Sequence, residues 1–171
     1  MIFNDICDLR GEVLITAIDS FGTTIILVDD RNLIVLNGRK TVATHILTGS
    51  GAYINSIVFG NGGTSINNPN DVKQVLPTET VVNSVITNLV ANTDYVLTVD
   101  SSSLSDSNSR PKLVYNISIP KTGTNINGKQ INELALMMNT TPTSTAFAIK
   151  RFSTIVKSES ISLNVKWTLF F

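Results

Sequence analysis

The chain has 171 residues, of which 15% are charged, and its thirteen basic and thirteen acidic side chains give a net charge of zero. That length suits one domain with a real core, and the charge balance leaves no field to draw the protein to nucleic acid or to an anionic membrane. Ser, Thr and Asn fill the polar positions instead, a weakly repelling surface that favours association.

Residues 1–30 open with MIFNDICDLRG and then the β-rich runs VLITAI (13–18) and TTIILVD (23–29). They read as extra strands, or as an arm that locks onto a neighbour. Asp5 and Asp8 stand where a secretory signal would be basic, and no apolar run approaches the roughly 18 residues of a membrane span. Cys7 is alone, so no disulfide forms within the chain. The expectation is a soluble protein made in a reducing cytosol, with Asn116-Ile117-Ser118 and Asn139-Thr140-Thr141 not used as glycosylation acceptors.

After the run NLIVL (32–36), the stretch NGRKTVATHILTG predicts a short helix over about 38–48. Asn37 is its cap, Val42, Ile46 and Leu47 are its apolar face, and Gly49 is its stop. INSIVFG (54–60) reads as a strand ending in Gly60-Asn61-Gly62-Gly63-Thr64, with SINNPND as turns behind it. ETVVNSVIT (79–87) reads as another strand. Tyr95, Leu97 and Val99 alternate partially, whereas Leu113, Tyr115, Ile117 and Ile119 alternate fully up to Pro120. The stretches 101–111 and 121–130 carry too little apolar residue to bury and read as loops or arms. INELALMM (131–138) and AFAIKRFSTIV (146–156) follow. The last strand places Ile161, Leu163, Val165, Trp167, Leu169 and Phe171 on one side, with Ser162, Asn164, Lys166 and Thr168 on the other.

About nine short strands separated by turns predict a mainly β fold, an antiparallel β-sandwich or barrel-like domain over residues 31–171 with one short helix.

The chemistry-bearing residues are sparse. The three glycines at 60–63 lack the following Lys and the helix start of a phosphate loop, so they read as a turn that needs positive φ angles. His45 is the sole histidine, and with one Cys it cannot build a Cys/His zinc site, so a structural role is the reading. Asp100, Asp106 and their serines lack the Gly and bidentate Glu of a calcium loop. The sequence alone places no two acids at the separation that glycoside hydrolysis requires, and most read as solvated strand ends. Glu133 sits amid apolar residues, and it either pairs with Lys150 or Arg151 on a neighbouring strand or, by default, faces water. Trp167 lies in the apolar register of its strand and reads as core. Phe170 breaks the polar face of that strand. A chain ending on Trp-Thr-Leu-Phe-Phe exposes apolar surface unless its last strand is central or covered by another subunit.

The order of these motifs resembles small virion proteins of tailed bacteriophages. The helix followed by FGNGGT and an Asn-Pro-Asn-Asp turn resembles their "GxGGT" loop and "PxD" turn. Residues 131–136 resemble their "INEAGL" strand, residues 147–157 their "FARKTFPxIxK" strand, and residues 162–171 their closing "SLTIxWTIxF". Here Ile149-Lys150-Arg151 replaces the family's Arg before "KTF", so no specific contact is carried over.

The resemblance implies a non-enzymatic structural protein of the tail, neck or collar, baseplate or fibre attachment. It would be made in the host cytoplasm and reside in the virion, where it would contact itself and other virion proteins. Gly60, Asn61, Gly62, Gly63, Thr64, Phe170 and Phe171 are its candidate interface. Neither catalytic nor metal residues are assigned, no cofactor is expected, and no nucleic acid or membrane partner is expected. A glycan partner stays open in the alternative of a carbohydrate-binding module using Tyr53, Tyr95, Tyr115 and Trp167, as does a capsid decoration protein.

Overall fold

A computed structural model describes residues 9–101, 110–140 and 143–171. Cys7, Asp106 and most of the serine-rich stretch lie outside them. The strands are β1 (Arg10–Ile18), β2 (Thr24–Ile34), β3 (Ile54–Gly60), β4 (Thr64–Ser65), β5 (Asn68–Val72), β6 (Val96–Asp100), β7 (Lys112–Ile119), β8 (Gln130–Met138), β9 (Thr145–Val156) and β10 (Ser162–Phe170). The helix α1 (Leu36–Thr48) lies between β2 and β3.

Eight strands form one sheet in the order β3-β8-β9-β2-β1-β10-β7-β6, while β4 and β5 form a small hairpin apart from it. All recorded pairings in the large sheet are antiparallel. The fold is therefore mainly β, with the sheet curled until it is nearly closed into a barrel. At the remaining gap Phe59 of β3 meets Tyr95, just ahead of β6, with ring centroids 5.3 Å apart. Alternate residues of each strand point inward, and Val13, Ile15, Ile117, Val165, Trp167 and Leu169 join one apolar cluster inside.

Period two located β7 and β10 well, because each has one face on the core and one toward solvent. β10 is interior to the sheet. It pairs with β1 along one edge and with β7 along the other, so its own chain covers it. Residues 10–18 pair on both sides as well, as β1 between β2 and β10.

Three expectations are corrected. ETVVNSVIT is not a strand but an irregular segment that drops Val82 and Ile86 into apolar clusters while Val81 and Val85 stay exposed. The α1 cap is Val35 in extended conformation rather than Asn37, with no side-chain cap. The Leu36 amide donates to Pro77 O at 2.7 Å instead. Ile46 and Leu47, assigned to the apolar face, are 81% and 85% exposed. What docks the helix is Gly38, where any Cβ would collide with the Phe147 carbonyl of β9. Gly49 ends the helix as expected, in the left-handed conformation with φ 70°.

Residues 121–130 form a loop, as expected, but one anchored in the interior at Thr124 and Ile126. Ile126 is fully buried, and the Lys157 ammonium donates to Asn127 Oδ1 at 2.6 Å and to Lys121 O at 3.1 Å. Burial pulls the Lys157 pKa below its ordinary value, with Glu159 acting in the opposite direction.

Candidate functional site

The glycine-rich loop does cradle an anion, and the anion belongs to the same chain. β8 carries Asn132 and Glu133 beneath the end of β3. The Gly62 and Ser84 amides donate to Glu133 Oε1 at 2.9 and 3.2 Å. The Gly63 amide donates to Asn132 Oδ1 at 2.7 Å. Asn132 Nδ2 donates in turn to Thr64 Oγ1 at 2.9 Å and Thr154 Oγ1 at 3.1 Å. Positive φ is not the reason for these glycines, since none of Gly60, Gly62 and Gly63 adopts it. Close approach is. A Cβ on Gly62 would lie 2.8 Å from Asn83 Cβ and 3.0 Å from Glu133 Oε1, and one on Gly63 would run into the Asn132 carbonyl.

Glu133 does not face water; it is fully buried. Arg151, opposite it on β9, donates Nε to Glu133 Oε2 at 3.0 Å. The same guanidinium forks onto Glu79, with Nη2–Oε2 at 2.7 Å and Nη1–Oε1 at 3.2 Å, and reaches Gln74 O at 2.6 Å. The physical cause of the burial is that β8 has a second cover. Ala135 and Met137 pack under Val82 and Val75 in an apolar cluster separate from the barrel interior, so the segment around 73–85 lies over the face expected to be wet.

Every acid in this centre is engaged. An arginine sits between Glu79 and Glu133, and both oxygens of Glu133 accept hydrogen bonds, which is a structural clamp rather than an acid and base facing a substrate. Among the described residues no three His, Cys, Asp or Glu side chains converge as metal ligands would. A second clamp forms at Asp94, whose carboxylate accepts the Val90 amide at 2.7 Å and also the Asn125 amide. Burial pushes the Asp94 carboxyl up, but the hydrogen bonds from Val90, Asn125 and Thr124 outweigh it and hold its pKa below the ordinary value.

The candidate interface residues separate accordingly. Gly60, Gly63 and Thr64 are buried, Gly62 is half-buried, and Asn61 alone of the loop is exposed. Phe170 is half-buried on the outer face of β10, with the Arg10 and Arg110 guanidinium carbons 4.8 and 5.7 Å from its ring centroid. Phe171 packs against the core, and its amide donates to Pro111 O at 3.0 Å. Of the four aromatic residues considered for sugar stacking, Tyr95, Tyr115 and Trp167 are buried. Trp167 Nε1 donates to Asn32 Oδ1 at 3.1 Å. His45 Nε2 lies 2.7 Å from the Ala52 carbonyl, a helix-to-loop tie in which that nitrogen must carry the proton.

The feature that sequence reasoning missed is the outer edge of β2. One edge pairs with β1 from Thr24 to Asn32, whereas the other pairs with β9 only at Leu33 and Ile34. Lys150 covers the end of the open stretch by donating to Asp30 and to Arg31 O. That contact is the main cause holding the Asp30 carboxyl below its ordinary pKa. Beyond it Ile25, Ile26 and Leu27 are 52%, 62% and 38% exposed, and Phe21 at the hairpin tip is 94% exposed. The signal was present in TTIILVD, whose consecutive apolar residues cannot all face one core.

No family model matches the chain, and no curated protein or solved structure matches it either.

Proposed function

We propose that the chain is a non-enzymatic structural protein of a tailed-phage virion, made in the host cytoplasm. In this reading it assembles by pairing the outer edge of β2 with the same edge of a second copy. The observation that carries the assembly role is the run from Thr24 to Asp29, whose outer edge pairs with no strand among the described residues, with Ile25, Ile26, Leu27 and Phe21 exposed. Soluble proteins blunt such edges with Lys, Pro, bulges or covering loops. Here a bulge at Leu27 interrupts the register with β1, but charged residues begin only at Asp29, so the edge is only partly blunted.

An antiparallel pairing of two β2 edges about a two-fold axis is self-complementary. Each copy would satisfy the outward N–H and C=O groups of the other and cover the isoleucines. The zero net charge puts little repulsion in the way. The virion placement and the non-enzymatic role rest on the motif order of residues 32–171, and the Glu133 carboxylate is held in an internal clamp.

Two measurements test the two parts. Native mass spectrometry over a concentration series should show a dimer or a higher even-numbered oligomer that Ile26→Lys reduces to monomer, and an unaltered mass distribution would overturn the edge. Gold-labelled antibody against the chain should decorate purified phage particles, and intact particles without label would overturn the virion placement.

A further inference from the structure

α1 lies against the end of the barrel formed by the start of β9 and the ends of β8 and β10, but does not seal it. A cavity of about 260 Å³ remains there, its apolar lining including Val42, Ile54, Leu113, Met138, Phe147 and Leu169. Apart from His45 and Thr41 of the helix and Tyr53, the notable polar group is Tyr115 of β7.

Tyr115 is only 5% exposed, and its hydroxyl makes no hydrogen bond within the described residues. Tyr95 provides the contrast, because its hydroxyl reaches Ile57 O at 3.5 Å. The oxygen is not sealed from solvent, so the unused O–H is a donor open to an acceptor that enters the cavity.

We propose that this barrel-mouth cavity binds a small, largely apolar molecule carrying one hydrogen-bond acceptor, its body among Val42, Ile54, Met138 and Phe147 and its acceptor on the Tyr115 hydroxyl. The volume supports a ligand of this size. It exceeds the ~150 Å³ cavity that accommodates benzene and falls just below the ~300–1,000 Å³ of drug-sized sites, so a substituted single ring or a medium alkyl chain fits. Water is the poorer occupant, because an ordered water needs two to four polar partners and this wall is mostly hydrocarbon. Burial raises the Tyr115 pKa, which keeps the phenol protonated and able to donate. The site is independent of the β2 edge and of the virion reading.

The test uses the full chain and two probes of nearly equal shape, acetophenone with a carbonyl acceptor and ethylbenzene without one. Amide chemical shifts are followed by NMR for the natural chain, for Tyr115→Phe and for the cavity-filling Val42→Phe. Both probes should perturb the amides of Ile54, Leu113, Tyr115 and Met138, acetophenone more tightly. Tyr115→Phe should weaken acetophenone about fivefold, the ratio that one net hydrogen bond sustains, and leave ethylbenzene unchanged. Val42→Phe should abolish both responses. A natural chain whose amides ignore both probes at millimolar concentration would overturn the proposal, as would equal affinity of the two probes for the natural chain. Retention of the natural amide pattern in the unliganded variants is the check on folding.

Discussion

β8 and β2 invert the usual arrangement of charge and hydrocarbon. β8 buries Glu133 completely, whereas β2 leaves Ile25 and Ile26 more than half exposed. Neither result follows from the strand's own composition. β8 is roofed on one side by the barrel interior and on the other by the segment that carries Val75 and Val82, so whatever it carries is dry and must be paired. β2 has a partner along one edge only for most of its length, and from Thr24 to Arg31 every residue except the partly buried Val28 is exposed. Burial is a property of what lies on top of a residue.

Four changes would break or sharpen that contrast. The largest effect is expected at the roofed charge. Glu133→Ala leaves the Arg151 guanidinium buried with one carboxylate removed and strands the Gly62 and Ser84 amides, and the loss should be about 3–5 kcal/mol in urea denaturation. A loss below 1 kcal/mol would mean that water reaches the site and that β8 is not truly roofed.

Gly63→Ala should follow, at about 1–3 kcal/mol, because its methyl group must displace the Asn132 carbonyl. An unchanged thermal midpoint would show that the loop floats free of β8.

The third test uses pH. The Asp94 carboxyl is held below its ordinary value in the folded state, so it contributes stability above the unfolded pKa of about 3.9. That contribution is lost as pH falls through the folded value, where both states are protonated. Asp94→Asn should therefore be less stable than the natural chain at pH 7, and the gap should narrow by pH 3. A gap independent of pH would assign the effect to lost geometry rather than to charge.

The smallest effect on stability is expected on β2. Ile26→Lys should shift monomer stability by no more than about 0.5 kcal/mol, while abolishing concentration-dependent association in sedimentation velocity. A destabilisation comparable with that of Glu133→Ala would mean that Ile26 is part of the core.

Part of this architecture was legible in the residues. β7, β10 and β3 could be read almost to their ends, because each alternates between a core and a solvent face or ends at a glycine. The stop of α1 at Gly49 was legible for the same local reason. ETVVNSVIT misled because its valines and isoleucine suit a strand by composition, yet Val82 and Ile86 lie four residues apart and drop inward from an irregular path. Ile46 and Leu47 misled because Gly38, further back along the helix, sets how α1 lies on β9. The role of Glu133 was open between an ion pair and water, and its second partner Glu79 comes from a segment no strand pattern marks.

From its sequence alone the chain determined a mainly β, weakly charged domain with one short helix, and turns where Gly, Pro and Asn cluster. Those features depend on backbone preference and on alternation within a few neighbouring residues. Only the tertiary structure decided that the last strand lies between β1 and β7, that the glycine loop closes on Glu133, that Tyr115 lines a cavity without a partner, and that the outer edge of β2 stays open. Each of these depends on which distant segment comes to rest against a given face, and alternation specifies that a face exists without specifying what covers it.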